Sequence, residues 1–172
     1  MKKFKIFRSM KLIILSLSIL ITYKSNGQTP AKVIPNFTFY KFDNKAFTNK
    51  DLVIGKEKFF IFFDVTCIHC QHTIQTLNAR ISECKGVSIY LISLNNKVQI
   101  ENFLHKYGEN IINQENVTIL LDLGNQFIQR FTPRKYPSVF LYSKAGKLIH
   151  YSDEDETLNS FFRIINASKS NA

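Results

Sequence analysis

Residues 59–84 read FFIFFDVTCIHCQHTIQTLNARISEC, and the fold turns on what changes in the middle of this stretch. Phe59 to Phe63 are five consecutive apolar residues. That pattern suits a strand buried on both faces of a sheet better than a hairpin strand with one wet face. From Cys70 onward the period changes. Cys70, Ile74, Leu77, Ile81 and Cys84 are spaced four, three, four and three, so they share one helical face, while Gln71, Gln75, Asn78 and Arg80 can meet solvent. The spacing predicts one helix running as far as Cys84.

Cys67 then stands at the first turn of a helix leaving the C-terminal end of a central strand. Free backbone N–H groups and the positive end of the helix dipole favour thiolate over thiol there. Cys70, one turn further in, belongs to the core-facing stripe. The expectation is an exposed nucleophile, Cys67, backed by a shielded resolving thiol, Cys70, the asymmetry that thiol–disulfide exchange uses. Cys-x-x-Cys is also half of a zinc site, but such a site wants a second ligand pair at matching spacing. The chain has no second Cys-x-x-Cys and no Cys-x-x-His, and His69 and His72 could join the cysteines only if the helix start unwound. No metal and no cofactor are expected.

The buried strand, the Cys-x-x-Cys at a helix start and a later Tyr-Pro-Ser-Val-Phe-Leu at Tyr136 to Leu141 together resemble the thioredoxin superfamily. Within it the chain is most similar to the TlpA and redoxin (AhpC/TSA-type) branch of secreted bacterial thiol–disulfide proteins, from about Ile34 to about Ile165. The resemblance implies an α/β fold, a thioredoxin-like three-layer sandwich with a central mixed sheet, an N-terminal β-hairpin extension and an inserted helix. It also implies that Pro137 is cis and faces the cysteine pair, leaving the backbone of Tyr136 free to pair with an extended substrate segment. An isolated proline here would instead read as a trans residue opening an edge strand. Pro133 reads as a loop proline.

The residues between the cysteines tune the couple. His69 can lower the pKa of Cys67 and make the disulfide more oxidising. An x-His dipeptide resembles the oxidising DsbA-like proteins more than the Gly-Pro of reducing thioredoxins, although His69 and His72 also fit solvated helix positions. Three departures from thioredoxin stand out. Thr66 occupies the place of a frequent Trp, Ile61 that of a buried acid six residues before the first cysteine, and Asp64 is the nearest carboxylate, whose charge would raise the pKa of a neighbouring thiol.

Residues 1–27 differ from the rest. Lys2, Lys3, Lys5, Arg8 and Lys11 precede an apolar run from Leu12 to Ile21, and Ser25 and Gly27 suit a signal-peptidase site before Gln28. An apolar run of about ten residues is short of the ~20 that a spanning helix needs. The expected organisation is a signal peptide over 1–27, a thioredoxin-like domain over 28–172, and export to a bacterial periplasm or cell envelope. Membrane contact arises only if that segment stays uncleaved. The segment holds 6 of the 23 basic residues and none of the 13 acidic ones, leaving a domain of net charge +4. Such a chain has no nucleic-acid stripe.

Along the chain, Phe37 to Tyr40 and Ala46 to Thr48 predict a hairpin around Asp43-Asn44-Lys45, which fits either the family's extension or a generic surface hairpin. Val87 to Leu94 follows as a strand parallel to the first. Lys97 to Tyr107 reads as a helix stopped by Gly108, Val117 to Leu121 as a strand and Gly124 to Phe131 as a short helix. Ser138 to Tyr142 and Lys147 to Tyr151 are strands around Ala145-Gly146. The tail from Thr157 to Ile165 is an amphipathic helix opened by the acids Asp153 to Glu156, with Asn166 to Ala172 frayed. On one helix Cys70 and Cys84 would be separated by a rise of about 21 Å, too far to pair, so Cys84 is expected to be a buried structural thiol.

These readings favour an exported thiol–disulfide oxidoreductase. Its partners would be protein thiols or disulfides and a redox partner protein, with the direction of electron flow open. A peroxidase of the peroxiredoxin kind is disfavoured, because that family has Thr where this chain has Asp64. A scaffold whose disulfide is merely structural is the alternative from another class, and the Cys-x-x-x-Cys of copper chaperones of this fold is absent.

Overall fold

The computed structural model describes residues 28–154 and 158–170. The expected signal peptide over 1–27 lies outside the described residues, as do residues 155–157 and 171–172. Among the described residues no helix is long and apolar enough to cross a membrane.

Seven strands form one mixed sheet. They are β1 (Thr38–Tyr40), β2 (Ala46–Thr48), β3 (Glu57–Phe62), β4 (Val87–Ser93), β5 (Val117–Leu121), β6 (Ser138–Tyr142) and β7 (Leu148–Ser152), in the spatial order β2-β1-β5-β4-β3-β6-β7. Strands β3, β4 and β5 pair in parallel, and the other pairings are antiparallel. The parallel pairs require crossovers, which helices α1 (Ile68–Ala79) and α2 (Lys97–Tyr107) supply, the latter followed by the short α3 (Glu109–Ile112). Asn96 opens α2 with a capping box to Gln99. Helix α4 (Gln126–Phe131) lies between β5 and β6, and α5 (Leu158–Ser170) ends the described chain.

The unbroken apolar run of β3 is explained by a layer on each side. Phe59, Ile61 and Phe63 point into the layer containing Cys70, Ile74, Leu77, Phe103, Phe161 and Phe162. Phe60 and Phe62 point the other way, into a cluster of Phe37, Phe39, Phe47, Tyr90, Phe127, Phe131, Phe140 and Tyr142. That second layer is mostly aromatic. Phe131 stacks on Phe127 at 4.2 Å between ring centroids and meets Phe60 at 5.4 Å and Phe140 at 6.0 Å. The hairpin β1–β2 covers this face through Phe37, Phe39 and Phe47.

Four expectations need correction. The first helix stops at Ala79, and Ile81–Cys84 is a separate 3-10 turn. Arg80 causes the break. Its guanidinium binds both oxygens of Glu83 (2.6 and 2.9 Å) and Asn159 Oδ1 (2.8 Å), and it lies 4.0 Å from the Phe162 ring centroid. The ties to Glu83 within the turn and to Asn159 and Phe162 on α5 replace one more helical turn, so the helical-rise argument against a Cys70–Cys84 bond loses its premise. No disulfide joins Cys67, Cys70 and Cys84 to one another, and Cys84 is buried. Helix α4 starts at Gln126, because Asn125 has φ 52° and the buried Asp122 carboxylate accepts the N–H groups of Gln126 (2.9 Å) and Phe127 (2.7 Å). Asp153 does not open α5: it is buried and paired with Arg134. Residues 166–170, read as frayed, are helical, with Asn166 Nδ2 donating to Glu83 Oε2 at 2.7 Å.

Phe131→Ala should lower the unfolding free energy by about 3–5 kcal/mol, measured by urea denaturation. A loss below about 1 kcal/mol would mean that the aromatic layer refills the space.

Candidate active site

Strand β3 delivers the chain to the site. The Phe63 N–H donates to Ile92 O at 3.0 Å, extending the ladder one residue beyond the strand, and the backbone then leaves the sheet at Asp64. Asp64 Oδ1 accepts the Thr66 N–H at 2.7 Å and the Thr66 hydroxyl at 2.5 Å, and Asp64 O accepts the Cys67 N–H at 3.3 Å. The aspartate thus folds its own loop into a tight turn. A second tie holds the loop from the side. The Val65 N–H donates to Asn95 Oδ1 at 3.1 Å, and the same oxygen accepts the Ser93 hydroxyl at 2.8 Å.

Cys67 is the N-cap of α1, with extended backbone angles and no capping bond from its side chain. Its carbonyl accepts the Gln71 N–H at 3.1 Å, so the residue stands at the helix start, where backbone N–H groups lack intrahelical acceptors. Cys67 is partly buried, whereas Cys70 is wholly inaccessible. The Cys67 thiol donates to Tyr136 O at 3.9 Å, across the sheet, and the Tyr136–Pro137 peptide is cis. Behind it, the Asp64 N–H donates to Cys70 Sγ at 3.4 Å. The sequence-derived site residues Cys67, Cys70, Tyr136 and Pro137 therefore converge. His69, at the second helical residue, is exposed.

Burial pushes the Cys70 thiol far above the usual cysteine range. The Asp64 N–H opposes this, while the neighbouring Cys67 and the Asp64 charge add to it. The Tyr136 phenol is pushed up to about 12, first by burial and then by the charges of Asp64 and Cys70. It therefore remains a neutral group at the mouth of the site, its ring 4.7 Å from that of Phe62.

The loop carrying Tyr136 and Pro137 is held by a network that the sequence reading missed. The Tyr151 hydroxyl accepts the Arg134 N–H (3.1 Å), donates to Asp153 Oδ2 (3.1 Å) and lies 3.1 Å from Ser138 Oγ. Arg134 also donates to Asp153 Oδ1 at 2.8 Å, and Ser138 Oγ donates to Lys135 O at 2.7 Å. Asn95 and Ser93 were missed on the other side of the cysteines. A polar residue just beyond a buried strand was the available signal for Asn95; Tyr151 and Asp153 meet their partners 13 to 19 residues away, with no local pattern to mark them.

Residues 30–151 match the model of the AhpC/TSA family. No curated protein matches the chain in sequence. Solved structures share the fold. The C-terminal domain of a protein assigned as a thiol–disulfide oxidoreductase from Bacteroides thetaiotaomicron superposes with a TM-score of 0.64 at 17% identity, covering 83% of this chain and 99% of that one. A secreted Mycobacterium tuberculosis disulfide oxidoreductase gives 0.60 at 19% identity, with 74% and 95% covered. A thiol–disulfide oxidoreductase from Bacteroides fragilis gives 0.60 at 15% identity, with 78% and 99% covered.

The raised Cys70 pKa has a pH consequence in the reduced protein. Below about pH 8.5 the thiol is protonated in both folded and unfolded chains and its contribution is fully present. As the pH rises further only the unfolded thiol ionises, so stability falls by at most about 1.4 kcal/mol per pH unit. Denaturation of the reduced chain and of Cys70→Ala at pH 7 to 10 should show the shallower decline in the variant. Equal slopes would show that the folded thiol ionises as easily as the unfolded one.

Proposed function

The chain belongs to the AhpC/TSA family, and from that premise we propose that it is an exported thiol–disulfide oxidoreductase acting through Cys67 and Cys70. One observation carries this reading. A partly exposed sulfur at a helix N-terminus lies 3.9 Å from the Tyr136 carbonyl, with a fully buried second thiol behind it.

In the reducing direction, the Cys67 thiolate attacks a substrate disulfide in line. An S–S bond forms from Cys67 to one substrate sulfur, and the other leaves as a thiolate. Cys70 then attacks Cys67 Sγ, passing its proton to the released substrate sulfur. The bond to substrate breaks, and the enzyme closes as the Cys67–Cys70 disulfide while the substrate leaves with one sulfur as a thiol and the other as a thiolate, which takes its proton from water. The oxidising direction is the reverse, with a substrate thiolate attacking the disulfide at Cys67. Because burial keeps Cys70 protonated, it is a poor nucleophile until the mixed disulfide forms beside it. The carbonyl of Tyr136, next to Pro137, is the backbone group placed to receive an extended substrate segment. His69 is the residue that tunes the Cys67 thiolate.

In this reading residues 1–27 are a signal peptide and residues 28–172 the catalytic domain, with export delivering the enzyme to the cell envelope. Client protein thiols and a redox partner protein complete the cycle. A peroxidase reading is weaker, since Asp64 stands three residues before Cys67 and its carboxylate is occupied by Thr66.

Cys67→Ser should abolish exchange with a model protein disulfide, while Cys70→Ser should accumulate a mixed disulfide through Cys67, visible by non-reducing mass spectrometry. Retained exchange in Cys67→Ser would sink this reading in favour of a structural disulfide on a thioredoxin scaffold. The potential of the couple assigns direction: near about −120 mV it donates disulfides, near about −270 mV it reduces them. His69→Ala should move the potential in the reducing direction, and no shift would remove His69 from the tuning role.

A further inference from the structure

The end of β3 opposite the cysteines carries a cation that redox chemistry does not use. Lys58 is only 5% exposed, yet it has no acidic partner among the described residues. Its Nζ donates to Lys144 O at 2.9 Å. An ammonium has three donors, and a buried cation without a counter-charge is costly; burial lowers its pKa below the usual lysine range. Ser88, directly across the β3–β4 register from Lys58, is 2% exposed. Its hydroxyl is near that of Tyr90 but has no hydrogen-bond partner among the described residues. Two buried polar groups with unused hydrogen-bonding capacity thus sit side by side.

Lys58 borders a cleft of about 290 Å³ whose other walls include Ile34, Leu52, Val53, Ile54, Lys144 and Gly146. Among the described residues no carboxylate lines it. Its apolar wall is open to solvent, with Ile54 93% exposed and Val53 44%, and the exposed Lys144 adds a second positive charge at the rim. Asn49, also in the wall, already spends its side chain on the Phe37 N–H and Pro35 O. Since about 10–15 Å³ of such space suffices for one water, the cleft has room for a ligand of many heavy atoms. Six residue steps along extended chain separate Lys58 from Asp64, about 20 Å, so the cleft lies apart from the redox site.

Apolar walls with a cationic floor do not suit a fully hydrated polyanion, which calls for several polar donors around it. They suit one negative charge attached to hydrocarbon. We infer that this cleft binds a small carboxylate with an apolar tail, the carboxylate seated on Lys58 Nζ and the tail lying against Val53 and Ile54.

Octanoate, a carboxylate on a short apolar tail, is the probe, titrated calorimetrically into the full chain. Saturable binding at one site is expected. It should weaken about tenfold or more in Lys58→Met, which keeps the length and apolar stem of the side chain but removes the charge-assisted bond. Octanol, with a comparable tail and no charge, should bind octanoate's site about tenfold more weakly or worse. Ile54→Ser, at an exposed position that the fold does not need, should weaken octanoate several-fold. Unchanged affinity in Lys58→Met, equal affinity for octanol and octanoate, or no saturable binding would each overturn the inference. If thermal melting shows Lys58→Met to be unfolded, the octanol comparison and Ile54→Ser decide it.

Discussion

The burial of β3 on both faces is the constraint from which the rest of the molecule follows. Alternate side chains of Phe59 to Phe63 enter opposite layers, so the strand needs a neighbour on each edge and a layer above and below. Parallel β4 and antiparallel β6 supply the edges. The same pairing builds the site. The register that sets Phe62 against Ser138 brings the end of β3 beside the start of β6. Cys67 leaves one strand where Tyr136 and Pro137 enter the other, although 69 residues separate Cys67 from Tyr136.

The chemical difference between the two thiols is likewise a product of packing. They are three residues apart, but Cys67 precedes the first helical turn while Cys70 faces the core. Helix geometry alone puts one cysteine at the helix start and the other where water cannot stabilise its anion. Asp64 serves both. Its carboxylate shapes the turn before Cys67, its N–H meets Cys70 Sγ, and its charge works against ionisation of the buried thiol.

Opposite the cysteines, the segment 132–137 has no regular structure of its own and depends on side chains for its shape. Tyr151 serves as the hub, held by Asp153 and reaching both Arg134 and Ser138. That aspartate looked like a helix-opening acid, yet Arg134 claims it. The Arg134 guanidinium, above the Tyr151 ring at 5.1 Å and bonded to Asp153, offers a buried carboxylate more than an exposed helix terminus would.

Period and near neighbours along the chain account for the doubly buried strand, the core stripe Cys70, Ile74 and Leu77, the hairpin, the α2 helix and the placing of Cys67 ahead of Cys70. These are local consequences of side-chain alternation and helical spacing. The approach of Pro137 to the cysteines was legible only through family resemblance. Tertiary structure alone decided where the first helix ends, because the partners of Arg80 on α5 lie 79 or more residues away. It also decided which groups lock the site loops, and that Lys58, an ordinary charged residue in the sequence, is enclosed. Each of these outcomes is set by contacts between strands and helices far apart in the chain, and no local pattern of hydrophobicity encodes a partner at that distance.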